Sequence, residues 1–483
     1  MTPFLAIAKL TCRATMRSYV FHFLFLLLLA VIFILPNTII SDGTAKGLIY
    51  VSLKYCLGVS GFILSLSTIW VSCFTLSNDL ETYQMHMICV KPVSRVVIWL
   101  GKLTGVVFLH GVLLLLSSII IYIFTIWQFE RSTFSDEEKE KIKNEVLVGR
   151  RVYMPEMPDF SKEVEEQITK LNLAIKEGKP GAPDKQLSLA EKRKLIKEIR
   201  NQIIAKYGEI PFGNFREWKY KALDPLQKSP LSFRYRIYVG KVSSKDQRQT
   251  LGIFGAYVPF YENEEDAKKG KEPKYELIPK TSEPESFMCG VFLEDKISPV
   301  IIRKDGTARI AFQNLDPEKA SLFFQPNDGP KLLEPKVSFF QNYLRAAFVI
   351  FLRIILLAGL GASAGGLFSM PVAVFIVISY LIFGISASFV IDIERDFGYD
   401  EEALRASESL WETAARQTSH GILAVIIPMQ KFEVSDTVAD GELIEFSFIA
   451  KFFTEIFLIR GLPLFVVAVY LYKRREIGLI VKK

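Results

Sequence analysis

An α-helical polytopic membrane protein with six transmembrane helices and one extracytoplasmic α+β domain is the fold class that this sequence predicts. Three observations carry the prediction. Half of the 483 residues are hydrophobic, 38 of them Phe, and the apolar ones gather in runs long enough to cross a bilayer. Some two hundred residues, 128–341, contain no such run. The cations that make the formal net charge +7 sit beside the apolar runs rather than in one basic patch, which argues for the positive-inside rule and against nucleic acid as a partner.

Residues 1–17 carry Lys9, Arg13 and Arg17 and no acid, with cations four apart on one helical face. This predicts an uncleaved amphipathic helix on the inner leaflet, because the following run is too long for a signal peptide and ends at Pro36-Asn37 without a small-x-small site. The 18–127 region holds the first three spans, at about 18–40, 48–76 and 96–127. The turn SDGTAKG joins the first two outside. The third is longer than a bilayer needs, so it tilts or projects, and Trp127 suits the interface.

Between spans two and three lies Asn78 to Lys102, NDLETYQMHMICVKPVSRVVIWLGK, with the loop itself at 77–95. Asn78 or Asp79 is placed to cap a helix, Glu81 suits its first turn, and Lys91-Pro92 would stop it. Lys102 is expected to snorkel toward phosphate. On spacing alone an ordinary loop obeying the charge rule fits equally well. The order acidic-Thr, hydrophobic helix, Lys-Pro-Val-Ser-Arg, Leu-Gly-Lys resembles the first cytoplasmic loop of ABC-2 type transporter permeases, through Glu81, Thr82, Pro92, Arg95, Gly101 and Lys102. In that family the loop holds a coupling helix that docks on a separate ATPase. The resemblance therefore implies ATPase coupling by Asp79, Glu81, Thr82, Tyr83, Pro92, Arg95 and Lys102.

The 128–341 segment divides by period. Its first part, 128–210, carries charged helical stretches (SDEEKEKIKNEVL, SKEVEEQITKLNLAIKEG, SLAEKRKLIKEIRNQIIAKYG) broken at Pro155, Pro158, Pro180 and Pro183, which read as solvated arms. From 211 to 338 the pattern alternates: FRYRIYVGKV, TLGIFGAYVPFY, YELIPK, FMCGVFL, SPVIIRKDGTARIAFQNL and ASLFFQP predict a β-sandwich, with the clearest hairpin at Asp305-Gly306, between VIIRK and TARIAF.

The 342–483 region supplies spans four to six, at about 344–360, 372–391 and 446–472. GASAGGLFSMP is expected to be a short inner turn. Ser369, Pro371, Val372 and Ala373 resemble the ABC-2 junction between spans four and five, and Pro428, Phe432 and Gly441 resemble the family's pattern before the last span. The 392–445 loop has thirteen acids against four bases and is expected outside, with HGILAVIIP dipping in as a re-entrant piece. Lys473, Arg474 and Arg475 place the C-terminus inside, so both termini are expected in the cytoplasm of a bacterial inner membrane.

Arg353 and Glu455 each lie about 14 Å into a span from the outside by the helical rise. Charges so deep need a partner. Either the two pair with each other, bracing the bundle or lining a path, or Lys451 pairs with Glu455 one turn away and Arg353 snorkels.

Of the five cysteines only Cys289 falls in the outer region, so no intradomain disulfide is expected there, and no Cys/His cluster has metal-ligand spacing. Gly101-Lys102 is followed by Leu103, so no P-loop is formed and no cofactor is expected; ATP would be bound by the partner. The resemblance implies an ABC-2 permease subunit of an exporter, working with a cytoplasmic ABC ATPase, as a homodimer or beside a second permease, among membrane lipid. Two other classes fit the residues: mechanotransmission to an envelope partner through the outer domain, and an ATP-independent envelope scaffold.

Overall fold

The computed structural model describes residues 2–38, 44–89, 91–131, 134–177, 189–240, 248–260, 273–326, 328–396, 411, 417–418, 421 and 424–475. They divide into two compact units, one drawn from 1–149, 337–394 and 409–483, the other from 150–336 and 395–408.

In the first unit four helices are long and apolar enough to cross a membrane: α3 (Ala45–Glu81), α5 (Arg95–Arg131), α9 (Phe339–Leu367) and α12 (Phe446–Arg474). α1 (Pro3–Met16) meets α2 (Tyr19–Thr38) at a 70° bend, and the pair counts as a fifth candidate if it is one broken span. α10 (Met370–Asp396) offers a shorter apolar stretch, Met370–Ser386, and a short helix, α11 (Ser435–Ala439), precedes α12. Length and composition thus give a multi-pass membrane protein with four or five candidate spans among the described residues, against the six expected. Starts follow side-chain caps: Thr44 Oγ1 accepts from the Gly47 amide at 2.9 Å, and Ser338 Oγ from the Gln341 amide at 3.4 Å. Between Phe453 and Gly461, α12 is π-helical.

α3 and α9 form the centre of this unit, with Leu53, Leu57 and Leu64 in the same core as Ile350, Ile354 and Leu356. The expected inner turn of small residues is instead helix, because α9 continues to Leu367. Gly361 and Gly365 are contact residues: a Cβ at Gly361 would overlap Ser72 Oγ, and one at Gly365 would overlap the Cys73 carbonyl oxygen. Small residues one turn apart let the two backbones touch.

Residues 134–149 belong to this unit rather than to the outer domain, so the boundary expected at 128 moves to 150. α6 (Asp136–Glu145) opens on a capping box, Ser135 with Glu138, and buries Ile142 and Val146 against Ile49 of α3. Lys46 pairs with Glu145.

The second unit carries α7 (Ser161–Lys176), α8 (Leu189–Gly208) and three sheets. One sheet has the order β1 (Val148–Tyr153), β12 (Lys331–Ser338), β4 (Leu231–Arg236), β9 (Phe292–Ile297). The next runs β3 (Phe215–Tyr220), β10 (Ala308–Asn314), β6 (Gln249–Phe260), β7 (Lys274–Pro279), with β8 (Glu285–Met288) also on β6. A small third sheet joins β2 (Glu209–Ile210), β11 (Leu322–Phe323) and β5 (Tyr238–Val239). Phe233 and Tyr235 from the first sheet interleave with Phe254, Phe287 and Phe312 from the second, at ring-centroid distances down to 4.6 Å, which is sandwich packing. A buried carboxylate, Glu294, is held by Arg234 at 3.1 Å and by Arg150.

The hairpin expected around Asp305-Gly306 is only a turn. Asp305 Oδ1 accepts from the Thr307 amide at 3.0 Å, but Pro299–Ile301 before it is a 3-10 turn, and β10 pairs with β3 and β6 instead. Pro299 fixes φ and removes a donor where a strand would need one. The Ser41-Asp42-Gly43 turn, Pro180 and Pro183, most of the acidic 397–423 stretch and the C-terminal 476–483 lie outside the described residues.

Candidate functional site

The stretch from Asn78 to Lys102 sits where the ends of α3, α5, α9 and α12 meet. Asn78 and Asp79 do not start a helix; they lie in the last turn of α3, which runs on to Glu81. The helix stops where Tyr83 turns to φ 61°, just after its last i→i−4 bond, from the Thr82 amide to the Asn78 carbonyl at 2.8 Å, which the Thr82 hydroxyl also reaches at 2.6 Å. The helix expected between Asn78 or Asp79 and Lys91-Pro92 is therefore a shorter one, α4 (Gln84–Cys89). Asp and Asn suit a helix start by type, but here the apolar run of α3 holds them in its own continuation.

Met85 anchors α4. It is fully buried among Leu76, Ile98, Trp99, Ala362 and Tyr472, and the Tyr472 hydroxyl donates to its Sδ at 3.7 Å. On the other side Tyr83 is 46% and Met87 69% exposed, and Lys91 and Pro92 are exposed as well.

The charged residues around α4 tie the bundle together. Lys102 does not snorkel outward: it is 5% exposed, pairs with Asp79, and donates to the Thr75 carbonyl at 2.7 Å. The carboxylate across the loop is a nearer partner than phosphate. Glu81 Oε1 accepts from the Met370 amide at 3.3 Å, which places a carboxylate at the start of α10, where the helix dipole favours it. Arg95 donates to the Lys473 and Arg475 carbonyls at 3.0 and 2.6 Å and so closes the end of α12. Arg475 donates in turn to the Gly366 carbonyl at 2.7 Å. Ser77 Oγ lies 3.2 and 3.1 Å from the carbonyls of Gly365 and Phe368.

Gly101 and Gly105 bring α1 onto this assembly. A Cβ at Gly101 would stand 2.9 Å from Ile7 Cγ2, and one at Gly105 would stand 2.8 Å from the Ala8 carbonyl oxygen. Cys12 Sγ donates to the Gly105 carbonyl at 3.1 Å, while Lys9, Arg13 and Arg17 face outward. Gly101 is one of the residues singled out in the sequence; Gly105, Met85 and Ser77 were not, and the Gly-x-x-x-Gly spacing was the one available signal for the first of these.

No family model, characterised protein or solved structure matches this chain.

The intramembrane charges pair differently from expectation. Arg353 is not joined to Glu455: its Nη1 lies 3.7 Å from Glu433 Oε2, and its Nη2 lies so near Gly61 that a Cβ there would overlap it. Glu455 faces Lys431 at 3.5 Å and Arg460 at 3.6 Å, so the alternative pair with Lys451 is not made either. Lys54 pairs with Asp436 at 2.8 Å. Arg460 apart, these partners come from 431–436, just beyond the HGILAVIIP stretch (420–428) expected to be re-entrant. Ile427, Phe432, Val434 and Val438 are buried in the main core, which brings Lys431, Glu433 and Asp436 against the long helices.

Proposed function

We propose that this chain is the membrane subunit of an ABC-2 type transporter, six spans with both termini in the cytoplasm of a bacterial inner membrane, driven by a separate ATPase and working as a homodimer or beside a second permease. One observation carries the reading. α4 presents Met87 outward, with Tyr83 and Pro92 exposed on either side of it, while its buried Met85 and the neighbouring Asp79, Glu81, Arg95 and Lys102 lock the ends of α3, α5, α10 and α12 into one block. A load on the outer face of α4 reaches those helices through hydrogen bonds and ion pairs, not through a compliant loop. That is what a coupling helix has to do, and it divides the roles: Tyr83, Met87 and Pro92 meet the ATPase, and the charged residues pass the motion on. The chain's lack of a P-loop leaves ATP to that partner.

The test is purification of the full chain from its own cells with ATPase activity measured on the eluate. Wild type should carry an ATPase, and Tyr83→Asp/Met87→Asp should lose it while remaining monodisperse. An eluate without ATPase activity in either case would remove the transporter reading. Mechanotransmission is favoured by a separate observation: the 150–336 unit has an aromatic core of its own and is a body fit to carry force. Deleting 150–336 while flux persists would leave transport; loss of function without any measurable flux in wild type would leave mechanotransmission.

A further inference from the structure

α12 changes its hydrogen-bond ladder part-way along. Phe446–Phe452 is α-helical, Phe453–Gly461 is π-helical, and Leu462–Arg474 is α-helical again. A π segment of nine residues exceeds the single widened turn usual in proteins, and such turns gather at functional positions.

The residues supply a local cause. Pro463 follows the segment by two positions. In an unbroken α-helix its ring would meet the Ile459 carbonyl and leave that carbonyl without a donor. Widening the preceding turns relieves the clash. Gly461 fits the same narrow place: an added Cβ would stand 3.1 Å from the carbonyl oxygen of Ile456, five residues back.

The segment also decides which face of α12 is buried. Before it, Ile449, Phe452 and Ile456 lie in the main core. After it, Phe465 and Tyr472 fill notches on α9, where a Cβ at Gly359 would stand 2.5 Å from the Phe465 ring and one at Gly366 would stand 3.0 Å from the Tyr472 ring. On an α-helix Phe465 would lie about two and a half turns beyond Ile456, on the opposite face. The π segment takes up that half turn. Without it the buried face would continue through Pro463, Val467 and Tyr470, all of them exposed here. These residues are apolar enough to pack, so the sequence suits either face.

Each ladder has its own charge partners. Glu455 and Arg460, five apart, stand 3.6 Å from each other; Glu455 also faces Lys431 at 3.5 Å, and Arg460 donates to the Ile426 carbonyl at 2.5 Å. Residues five apart diverge on an α-helix, whereas those four apart are neighbours. The neighbour an α ladder gives Glu455 is Lys451, which is exposed and has no ion pair among the described residues.

We propose that α12 has two registers and that Phe453–Gly461 is the switch between them. In the second register the segment is α-helical, Glu455 pairs with Lys451, Arg460 leaves Ile426, and the helix beyond Gly461 is rotated by about half a turn. Tyr472 then leaves its notch at Gly366, and its hydroxyl leaves Met85 of α4. Arg460 and Tyr472 stand about 18 Å apart along the helix, so the switch ties the position of α4 to that of the 426–436 segment. The two registers rest on α12 alone, and only their use by α4 rests on the transporter reading. Failure of the ATPase test would remove the driver and leave the registers, while failure of the test below would leave the ATPase.

The full chain, with photoreactive benzoylphenylalanine in place of Tyr470, is reconstituted in phosphatidylcholine nanodiscs and illuminated, and the crosslinked peptides are mapped. Tyr470 is 49% exposed in the π register and faces α9 in the α register. The otherwise unaltered chain should give mainly lipid adducts. Pro463→Ala lifts the bar to an α ladder and should raise crosslinks to 359–366 about tenfold. Adding Lys451→Ala should bring them down again by about twofold, the worth of one helical ion pair. Lys431→Ala lies outside α12 and weakens only the π register, so it should raise the same crosslinks about twofold and keeps the test open if Pro463→Ala is poorly folded. Crosslinks to 359–366 that neither Pro463→Ala nor Lys431→Ala raises would overturn the proposal, and so would a rise that Lys451→Ala leaves unchanged.

Discussion

Replacing Lys102 by Met should cost this protein far more than the loss of a surface charge, and the cost should vanish in part when Asp79 goes with it. The Asp79 side chain is 13% and the Lys102 side chain 6% exposed, and Lys102 also satisfies the Thr75 carbonyl. Removing one member of so buried a pair leaves an uncompensated charge and is worth about 3–5 kcal/mol. By the usual conversion that is a fall of roughly 5–15 °C in Tm. Lys102→Met/Asp79→Leu removes both charges and leaves apolar groups of similar size, so it should fall well short of the sum, with a coupling of about 2–3 kcal/mol. The assay is thermal loss of the monodisperse peak in detergent for wild type, both single variants and the double variant. Single variants within about 2 °C of wild type, or shifts that simply add, would refute the claim that this pair locks α3 to α5.

Other outcomes follow from the same geometry. Arg353→Ala and Glu433→Ala should be coupled in a double-mutant cycle by about 0.5–3 kcal/mol, whereas Arg353→Ala and Glu455→Ala should add, read by the same thermal assay. Gly105→Leu should lift α1 from α5 and expose Cys12, raising its rate of maleimide labelling severalfold over wild type; an unchanged rate would contradict the packing. Phe254→Ala, at the centre of the ring cluster in the 150–336 unit, should cost about 3–5 kcal/mol, seen as loss of that folded unit to limited proteolysis.

Much of this architecture was legible in the chain because local chemistry and tertiary context agree there. Ser135 with Glu138, the long apolar runs, and the alternation of TLGIFGAYVPFY all point one way, and α6, the long helices and β6 are where they should be. The misreadings share a cause: the same residue type serves two roles that only packing separates. Asn78 and Asp79 are cap residues by preference but end a helix here, and the glycines of GASAGG are turn residues by preference but line a helix–helix contact. β12 was hidden because Pro335 interrupts its pattern. The partners of Arg353 and Glu455 were out of reach for another reason. Counting residues along a helix gives depth, but pairing also depends on which way each side chain faces, and on the 431–436 segment, whose path the sequence does not state. At the α4 face the residues that looked like docking groups, Glu81, Arg95 and Lys102, all have partners within the chain, although Glu81 remains exposed. The outward residues, Met87 above all, carry no motif that would mark them.

The most direct measurement places a photoreactive amino acid at Met87 in the full chain, in its own cells, and identifies what it captures on illumination. The account predicts one protein carrying a P-loop and ATPase activity, captured from Met87 and not from Phe375 on α10. Capture of lipid alone at Met87, or of the same partners from both positions, would contradict the assignment of α4 as the coupling surface.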